Sequence, residues 1–369
     1  MSANRHKQMA NNDLEQRKQD ILAATIEIYV ATAAPVGSEA VSRKLRSSPS
    51  PATIRNVMAD LEREGWLEQP HTSAGRVPTD RGYRVYVDHL MQSTRLSGEE
   101  RRRLVDSLRA QVMDAISLLE RAGVLLSEMT HQAAFIIAPT VKRSTVKQIE
   151  LLPLGVHKLL CVLVGEEPFL ISQTVDIDEP MTRDETVSIV RFLNHEMSGL
   201  PVAELVASLE RRLLAGNDSL YYLVKRSLHI LQAVLSVEPD ERLVIEGATY
   251  LFDYPEFHQH PKKAHELLRH LELHDVLLER LRRDLVGHGP EQGVMHGDAV
   301  RVRIGREVGI EGLDDCSYIV SSLVLGPSLI GGVGILGPRR MDYRRMRAIV
   351  EGVADSVRRT ISQSEPGHG

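Results

Sequence analysis

Cysteine, aromatic side chains and long apolar runs are all scarce in this chain of 369 residues. Aromatic residues make up only 4% of it, so the core must be built mainly from aliphatic side chains. The longest apolar helical stretch, residues 21–36, is interrupted by Glu27 and is too short to cross a bilayer. The first 13 residues are polar and contain no apolar segment of a secretion signal. We therefore expect a cytoplasmic protein.

The two cysteines, Cys161 and Cys316, lie in apolar surroundings with a strand-like pattern. Buried, unreactive thiols in a reducing compartment explain them better than a disulfide or a catalytic thiol. No Ser-His-Asp set and no pair of acids stands out as a catalytic arrangement. We therefore predict that the protein is not an enzyme.

Two further patterns resemble ligand sites without meeting their requirements. Five histidines lie between residues 258 and 274, but no cysteine or tight carboxylate cluster completes a metal site, and nearby lysines would repel a cation. The glycines of residues 331–337 lack the Gly-Lys-Ser/Thr ending of a phosphate loop and the spacing of a dinucleotide fingerprint. Turn and strand glycines are the better interpretation, and we predict no cofactor and no metal.

Positive charge is not in excess, since the net charge is −5. The distribution is uneven, however. The first 90 residues carry 12 Lys and Arg against 11 Asp and Glu, whereas the rest of the chain is acidic. Any contact with nucleic acid should therefore be local and confined to one face of a first domain.

Three helices are predicted in this first domain, over residues 14–32, 38–45 and 51–64. Ser38 is expected to cap the second helix. Ser50 is a favoured N-cap residue for the third, and Pro51 suits its first helical position. The third helix carries an apolar stripe that must face the other two helices, formed by Ile54, Val57, Met58 and Leu61.

The opposite face of the third helix carries Arg55 and Asn56 beside two small alanines, with Thr53 on its flank. Arg and Asn make paired hydrogen bonds to guanine and adenine edges in the major groove. An ordinary solvated helix face would look the same, so this pattern alone does not establish a recognition helix.

A strand-loop-strand pattern follows directly and favours DNA recognition. Residues 66–69 are typical of a short strand, residues 70–76 of a turn-rich loop, and Val77 and Pro78 of a return strand before a helix over residues 80–91. This order predicts a winged helix-turn-helix. We expect loop contacts with DNA from His71, Thr72 and Arg76, and backbone contacts from Arg81 and Arg84. The complete set of predicted DNA-binding residues is Ser50, Thr53, Arg55, Asn56, His71, Thr72, Arg76, Arg81 and Arg84.

Several sequence blocks resemble the HrcA family of heat-inducible repressors of chaperone operons. They are Pro-Val-Gly-Ser at 35–38, Ala-Thr-Ile-Arg-Asn at 52–56, Met-Ala-Asp-Leu-Glu at 58–62, His-Thr-Ser-Ala-Gly-Arg-Val-Pro-Thr at 71–79 and Gly-Tyr-Arg at 82–84. Blocks around residues 304–307, 315–317 and 337–343 are similar to the same family. The resemblance implies a homodimer on double-stranded DNA, an inverted-repeat operator of the CIRCE type, and activity that depends on the GroE chaperonin.

The remainder of the chain predicts an α+β fold. A capping box at Ser97–Glu100 opens a long helix with a nearly heptad apolar stripe, which could form an interhelical seam or pack on its own sheet. Strands are predicted near residues 134–138, 146–152, 157–164, 169–175, 243–245, 300–304, 318–325 and 332–336, with a helix at 184–197, a mainly helical block near 203–285 and a helix at the end of the chain.

Strand pairing cannot be read from one sequence, so the domain organisation comes from the family resemblance. It implies a GAF-like domain that carries an inserted, mainly helical dimerisation domain. We expect a winged-helix domain at 1–92, the first part of the GAF-like domain at 93–203, the insertion at 204–290 and the second part at 291–369. An alternative function is a ligand-sensing regulator whose GAF-like domain binds a small molecule.

Overall fold

The computed structural model describes twelve segments of the chain. They are residues 2–45, 50–71, 74–92, 94–109, 115–138, 145–165, 170–196, 200–215, 220–237, 242–286, 300–324 and 330–364. Helices and antiparallel sheets are both present, so the predicted α+β class is confirmed. None of the helices in these segments is long and apolar enough to cross a membrane.

Residues 2–92 form what we call the N-terminal unit. Its elements are α1 (Ser2–Thr32), α2 (Ser38–Lys44), α3 (Pro51–Arg63), β1 (Leu67–Glu68), β2 (Val77–Pro78) and α4 (Asp80–Val85), which continues into a π-helical turn (Tyr86–Leu90). Aliphatic side chains of the three first helices fill its interior, among them Ile21, Val41 and Ile54. The second helix begins differently from the prediction, since Gly37 is the N-cap and Ser38 is a buried residue of the first turn.

A five-stranded antiparallel sheet forms the centre of the chain. Its strands are β3 (Ala133–Ala138), β7 (Arg242–Glu246), β8 (Val300–Ile304), β9 (Cys316–Val324) and β10 (Ile330–Pro338), in the order β7-β3-β10-β9-β8. All six residues of β3 are buried, because successive side chains of a central strand point into the layers on opposite faces. Ala134 and Ile136 join one apolar cluster, and Phe135 and Ile137 join another.

Helices cover both faces of this sheet. On one face lie α5 (Gly98–Arg109), α6 (Ala115–Thr130) and α13 (Tyr343–Ser364), whose apolar side chains continue into the core of the N-terminal unit. The other face is covered by α10 (Pro255–His258), α11 (Pro261–Glu272) and α12 (Asp275–Val286). The capping box is confirmed, since the Ser97 backbone N–H donates to Glu100 and the Glu100 N–H donates to Ser97 Oγ. The helical stripe that follows packs on the chain's own sheet.

A separate unit lies between β3 and β7. It contains β4 (Val146–Pro153), β5 (Lys158–Gly165), β6 (Leu170–Asp176), α7 (Arg183–Glu196), α8 (Val202–Ala215) and α9 (Tyr221–Val237). Its three strands pair with one another in the order β4-β5-β6, and a cluster of buried residues between Val146 and Leu235 forms its own core.

This arrangement corrects the predicted boundaries. The inserted unit spans about residues 145–237 rather than 204–290, and it contains the β4-β5-β6 sheet, which the predicted boundaries assign to the first part of the GAF-like domain. The segment from β7 to α12 pairs with and packs against the five-stranded sheet instead. The error has a physical cause, because alternation of side chains identifies a strand but not the strand with which it pairs.

Both cysteines are buried, as predicted. Burial raises the pKa of Cys161 to about 12, and burial also raises the pKa of Cys316 well above its usual value. Both groups are therefore uncharged thiols at neutral pH, which makes them poor nucleophiles.

Candidate nucleic-acid interface

The start of α3 is set by its cap. Ser50 has an extended backbone and its Oγ accepts a hydrogen bond from the Thr53 backbone N–H at 3.3 Å, while Pro51 occupies the first helical position. The Ser50 and Thr53 hydroxyls are also 3.1 Å apart. Both predicted contact residues are thus present at the helix N-terminus, where backbone N–H groups favour an anionic partner.

The two faces of α3 differ sharply in exposure. Ile54 and Leu61 are completely buried against the other helices, whereas Arg55 and Asn56 are exposed. Within the described part of the chain, no ion-pair partner for Arg55 lies within 4 Å. The side chains that we predicted to read bases are therefore free to meet a partner outside the chain.

A short hairpin follows α3. Strands β1 and β2 pair antiparallel, with Leu67 opposite Pro78 and Glu68 opposite Val77. The connecting loop of residues 70–76, which we call the hairpin loop, turns where the Ala74 N–H donates to the His71 carbonyl at 2.8 Å. His71 is exposed at this turn. Thr72, another predicted contact residue, lies outside the described residues.

The base of the hairpin loop is fixed to the turn between α1 and α2. Val36 and Arg76 exchange two backbone hydrogen bonds, each 2.9 Å long. Gly75 makes this approach possible, because a Cβ atom there would lie 2.4 Å from the Val36 carbonyl oxygen. The Arg76 guanidinium donates to Glu62 of α3 at 2.8 Å, so this side chain also joins the loop to the helix.

A cleft of about 480 Å³ lies between the start of α2, α3 and the hairpin loop. Arg55 and Arg76, two of the predicted DNA-binding residues, both line it. Gly37, Ser38 and Gln69 line it as well, although the sequence analysis did not assign them to the site. The available signal was their position in the Pro-Val-Gly-Ser block and beside the predicted hairpin, together with side chains of Ser38 and Gln69 that can hydrogen-bond to DNA.

Arg81 and Arg84 occupy different environments. Arg81 is exposed, and its guanidinium donates to the carbonyl of Glu64 at 3.1 Å, at the end of α3. Arg84 instead pairs with Glu307 and donates to the Val302 carbonyl at 2.8 Å. Burial lowers the pKa of Arg84, but the hydrogen bonds from its guanidinium to Glu307 and to a neighbouring aspartate outweigh it, so the pKa is raised overall.

Arg84 is therefore engaged within the chain, and it does not line the cleft that Arg55 and Arg76 line. Its guanidinium holds α4 to the 3₁₀ turn after β8, a contact between residues more than 200 positions apart in the chain. No local pattern could reveal that partner. Because its guanidinium already joins two distant parts of the chain, we leave Arg84 out of the proposed DNA-binding surface.

Three further contacts join the N-terminal unit to elements that adjoin the five-stranded sheet, namely the turn after β8, the residue after β10 and the start of α13. Asp80 accepts hydrogen bonds from the Arg339 guanidinium at 2.8 Å and from the Arg306 backbone N–H at 3.1 Å. The rings of Tyr83 and Tyr343 lie 5.6 Å apart and are both fully buried. These roles could not be predicted from the sequence, because they depend on partners far along the chain.

Comparison with known proteins agrees with the sequence motifs. Residues 117–346 match the model of the HrcA protein C-terminal domain. Three curated relatives are each described as heat-inducible transcription repressor HrcA. The one from Pelotomaculum thermopropionicum is 32% identical over 96% of this chain and 99% of the relative, and the one from Chlorobium luteolum is 35% identical over the same shares. The third, from Moorella thermoacetica, is 36% identical over 95% of this chain and 98% of the relative.

The chain belongs to the HrcA family. The resemblance inferred from the motifs is confirmed, and the match covers almost the whole of this HrcA-family chain as well as its relatives. A crystal structure described as that of a hypothetical protein at 2.2 Å resolution has a similar fold. Its TM-score is 0.62 with 23% identity, over 94% of this chain and 98% of that one.

Proposed function

We propose that this HrcA-family chain is a heat-inducible transcription repressor that binds, as a cytoplasmic homodimer, to an inverted-repeat operator of the CIRCE type. Its relatives carry the description of heat-inducible repressor over nearly their whole length. The observation that carries the proposal is the exposure of Arg55 and Asn56 on a helix whose opposite face is fully buried. A repressor of this kind needs no catalytic group.

We assign the N-terminal unit as a winged helix-turn-helix. In this assignment α3 enters the major groove, Arg55 and Asn56 contact base edges, and Ser50 and Thr53 contact the backbone at the helix start. The hairpin loop is the wing, with His71, Thr72 and Arg76 beside phosphates or the minor groove. Two contacts of Arg76 support this assignment: its backbone pairs with Val36 in the turn before α2, and its guanidinium pairs with Glu62 and so joins the wing to α3.

We assign the five-stranded sheet with its helices as the GAF-like domain and the inserted unit, residues 145–237, as the dimerisation domain. Exposed apolar surface supports the second assignment. Eight of the eleven exposed large apolar side chains in the described part of the chain belong to the inserted unit, and Val156 and Leu214 are 68% and 87% exposed. Apolar surface concentrated in one unit is typical of an interface. Two DNA-binding units joined in this way would match the two halves of an inverted repeat.

Binding measurements on operator DNA and on a scrambled duplex test the assignment of α3. We expect Arg55→Ala and Asn56→Ala each to weaken operator binding by about 1–3 kcal/mol and to leave binding to the scrambled duplex nearly unchanged. Arg63→Ala is the matched control, because it removes the same charge from the same helix two turns later. Equal losses on both duplexes for the Arg55 and Asn56 variants would refute base reading, and no preference of the wild type for the inverted repeat would refute the function.

We further propose that the active fold depends on the GroE chaperonin. The discontinuous five-stranded sheet supports this, since domains with pairing between distant strands fold slowly and expose apolar surface meanwhile. Operator footprints after refolding with and without chaperonin test it. We expect full protection of the operator only with chaperonin, and identical footprints in both conditions would exclude the dependence.

A further inference from the structure

A pocket of about 420 Å³ lies where the segment after the N-terminal unit and α5 meet α13 and the strands β8 and β9. We call it the arginine pocket. Leu96, Val300 and Ala348 contribute apolar side chains to its wall. Its charged lining residues are Arg95, Arg101, Arg358, Arg359, Glu351 and Asp355.

The two carboxylates of the arginine pocket are already neutralised by the chain. Asp355 accepts a hydrogen bond from Arg358, and Glu351 accepts one from Arg347 at 2.8 Å. Arg358 is held further by hydrogen bonds to the Ser321 hydroxyl at 3.1 Å and the Ser322 carbonyl at 3.0 Å. These contacts account for both negative charges of the lining.

The other three arginines of the lining are not paired in this way. Arg95, Arg101 and Arg359 are exposed, and none of them has a carboxylate within 4 Å among the residues that the structure describes. Three positive charges around one concave surface repel one another, and an anion that enters it removes this repulsion. Guanidinium groups also match the geometry of phosphate oxygens, to which they donate in pairs.

The positions of these arginines are set by packing. Leu96 is buried against Gly352 of α13, where an added Cβ would lie 2.3 Å from Leu96 Cδ1, so the backbone beside Arg95 is held close to the helix. Arg101 lies in the first turns of α5, which is fixed to α13 by the ion pair of Glu100 with Arg345. The pocket is thus a preformed site between two anchored elements.

We propose that the arginine pocket binds a small anion that carries two or more phosphate groups. Its volume is in the range of small-molecule sites, which is about 300–1,000 Å³. No aromatic side chain is among the described residues that line it, so recognition would rest on the phosphates and not on a stacked base. A bound ligand would link two elements, the segment that follows the DNA-binding unit and the helix α13. This proposal does not depend on the proposed operator.

Calorimetric titration of the full chain with inorganic tripolyphosphate, without DNA, tests the pocket. Sulfate at equal ionic strength serves as the reference anion. We expect saturable binding of one tripolyphosphate per chain, and at least about tenfold weaker binding when Arg101→Gln and Arg359→Gln are combined. Arg102→Gln is the matched control, because Arg102 is exposed on α5 but does not line the pocket. It should change the affinity less than about twofold.

Hydrogen exchange of the wild-type chain provides a second readout that needs no variant. Tripolyphosphate should protect residues 95–101 and 351–359 more than sulfate does. Several results would overturn the proposal: uptake no stronger than that of sulfate, an equal loss of binding in the Arg102 variant, or protection confined to other segments. Displacement of tripolyphosphate by operator DNA would also overturn it, because the arginines would then belong to the DNA-binding surface.

Discussion

Replacement of Gly75 by alanine tests whether the hairpin loop is held by its contact with the turn before α2. An added Cβ would lie 2.4 Å from the carbonyl oxygen of Val36 and 2.8 Å from its nitrogen. Both are backbone atoms, so no flexible side chain can move aside. The two backbone hydrogen bonds between Val36 and Arg76 must therefore break or lengthen.

The expected loss of stability follows from these two hydrogen bonds. Each hydrogen bond contributes about 0.5–1.5 kcal/mol net, so we expect Gly75→Ala to lower the free energy of unfolding of the N-terminal unit by about 1–3 kcal/mol. The loop would also move relative to Arg55 on α3. Loss of one or two loop contacts with DNA corresponds to about tenfold weaker operator binding.

Trp66 allows the unfolding of the N-terminal unit to be measured directly. It is the only tryptophan of the chain and lies between α3 and β1, so its fluorescence during urea unfolding reports on the N-terminal unit. Gly98→Ala is the control, because an added Cβ at the start of α5 meets nothing within 4 Å. It should leave operator affinity unchanged and should not lower stability, since alanine suits a helical position at least as well as glycine. A Gly75→Ala variant that unfolds and binds like the wild type would show that the contact with Val36 does not position the loop.

Three other predictions concern contacts outside the hairpin loop. The buried hydroxyl of Tyr83 has no hydrogen-bond partner among the described residues, whereas that of Tyr343 has two. In thermal denaturation, Tyr83→Phe should therefore be at least as stable as the wild type. Tyr343→Phe should be less stable by about 0.5–1.5 kcal/mol. The opposite order would contradict this account. Arg84→Ala should lower stability by about 1–3 kcal/mol, since it leaves the partly buried carboxylate of Glu307 without its arginine. It should not change the salt dependence of operator binding, and a flatter salt dependence would show that Arg84 contacts DNA. Hydrogen bonds from an arginine of α13 and from Ser97 lower the pKa of Glu100 from 4.5 to about 2, so its stabilising contribution is present above pH 4.5 and is lost as the pH falls towards 2. Glu100→Gln should therefore show a smaller drop in melting temperature than the wild type between pH 5 and pH 2.5, and parallel curves would rule out this linkage.

Much of the local structure could be predicted from the sequence, because it depends on nearby residues. Ser50 and Pro51 mark the start of α3, and its apolar stripe identifies the buried face, so the exposed position of Arg55 and Asn56 followed directly. Alternation of Val and Arg over residues 300–304 identified β8 with correct bounds. These signals are carried by the spacing of side chains along one element.

Contacts between distant elements could not be predicted in the same way. β3 pairs with β7 on one side and with β10 on the other, and neither partner is its neighbour in the chain. The inserted unit was therefore placed about 60 residues too late. Arg84 illustrates the same limit for a single side chain, because an arginine that pairs with Glu307 looks in the sequence like one that is free to contact a phosphate.

The discontinuous sheet has a consequence for synthesis on the ribosome. β3 consists of the apolar residues Ala133–Ala138, and the strand that covers one of its edges, β10, begins at Ile330, about 190 residues later. At roughly 5–20 residues per second, translation leaves that edge open for on the order of 10–40 seconds. Each new copy therefore passes through a period in which this strand edge is unpaired, and the order of the strands along the chain sets the length of that period.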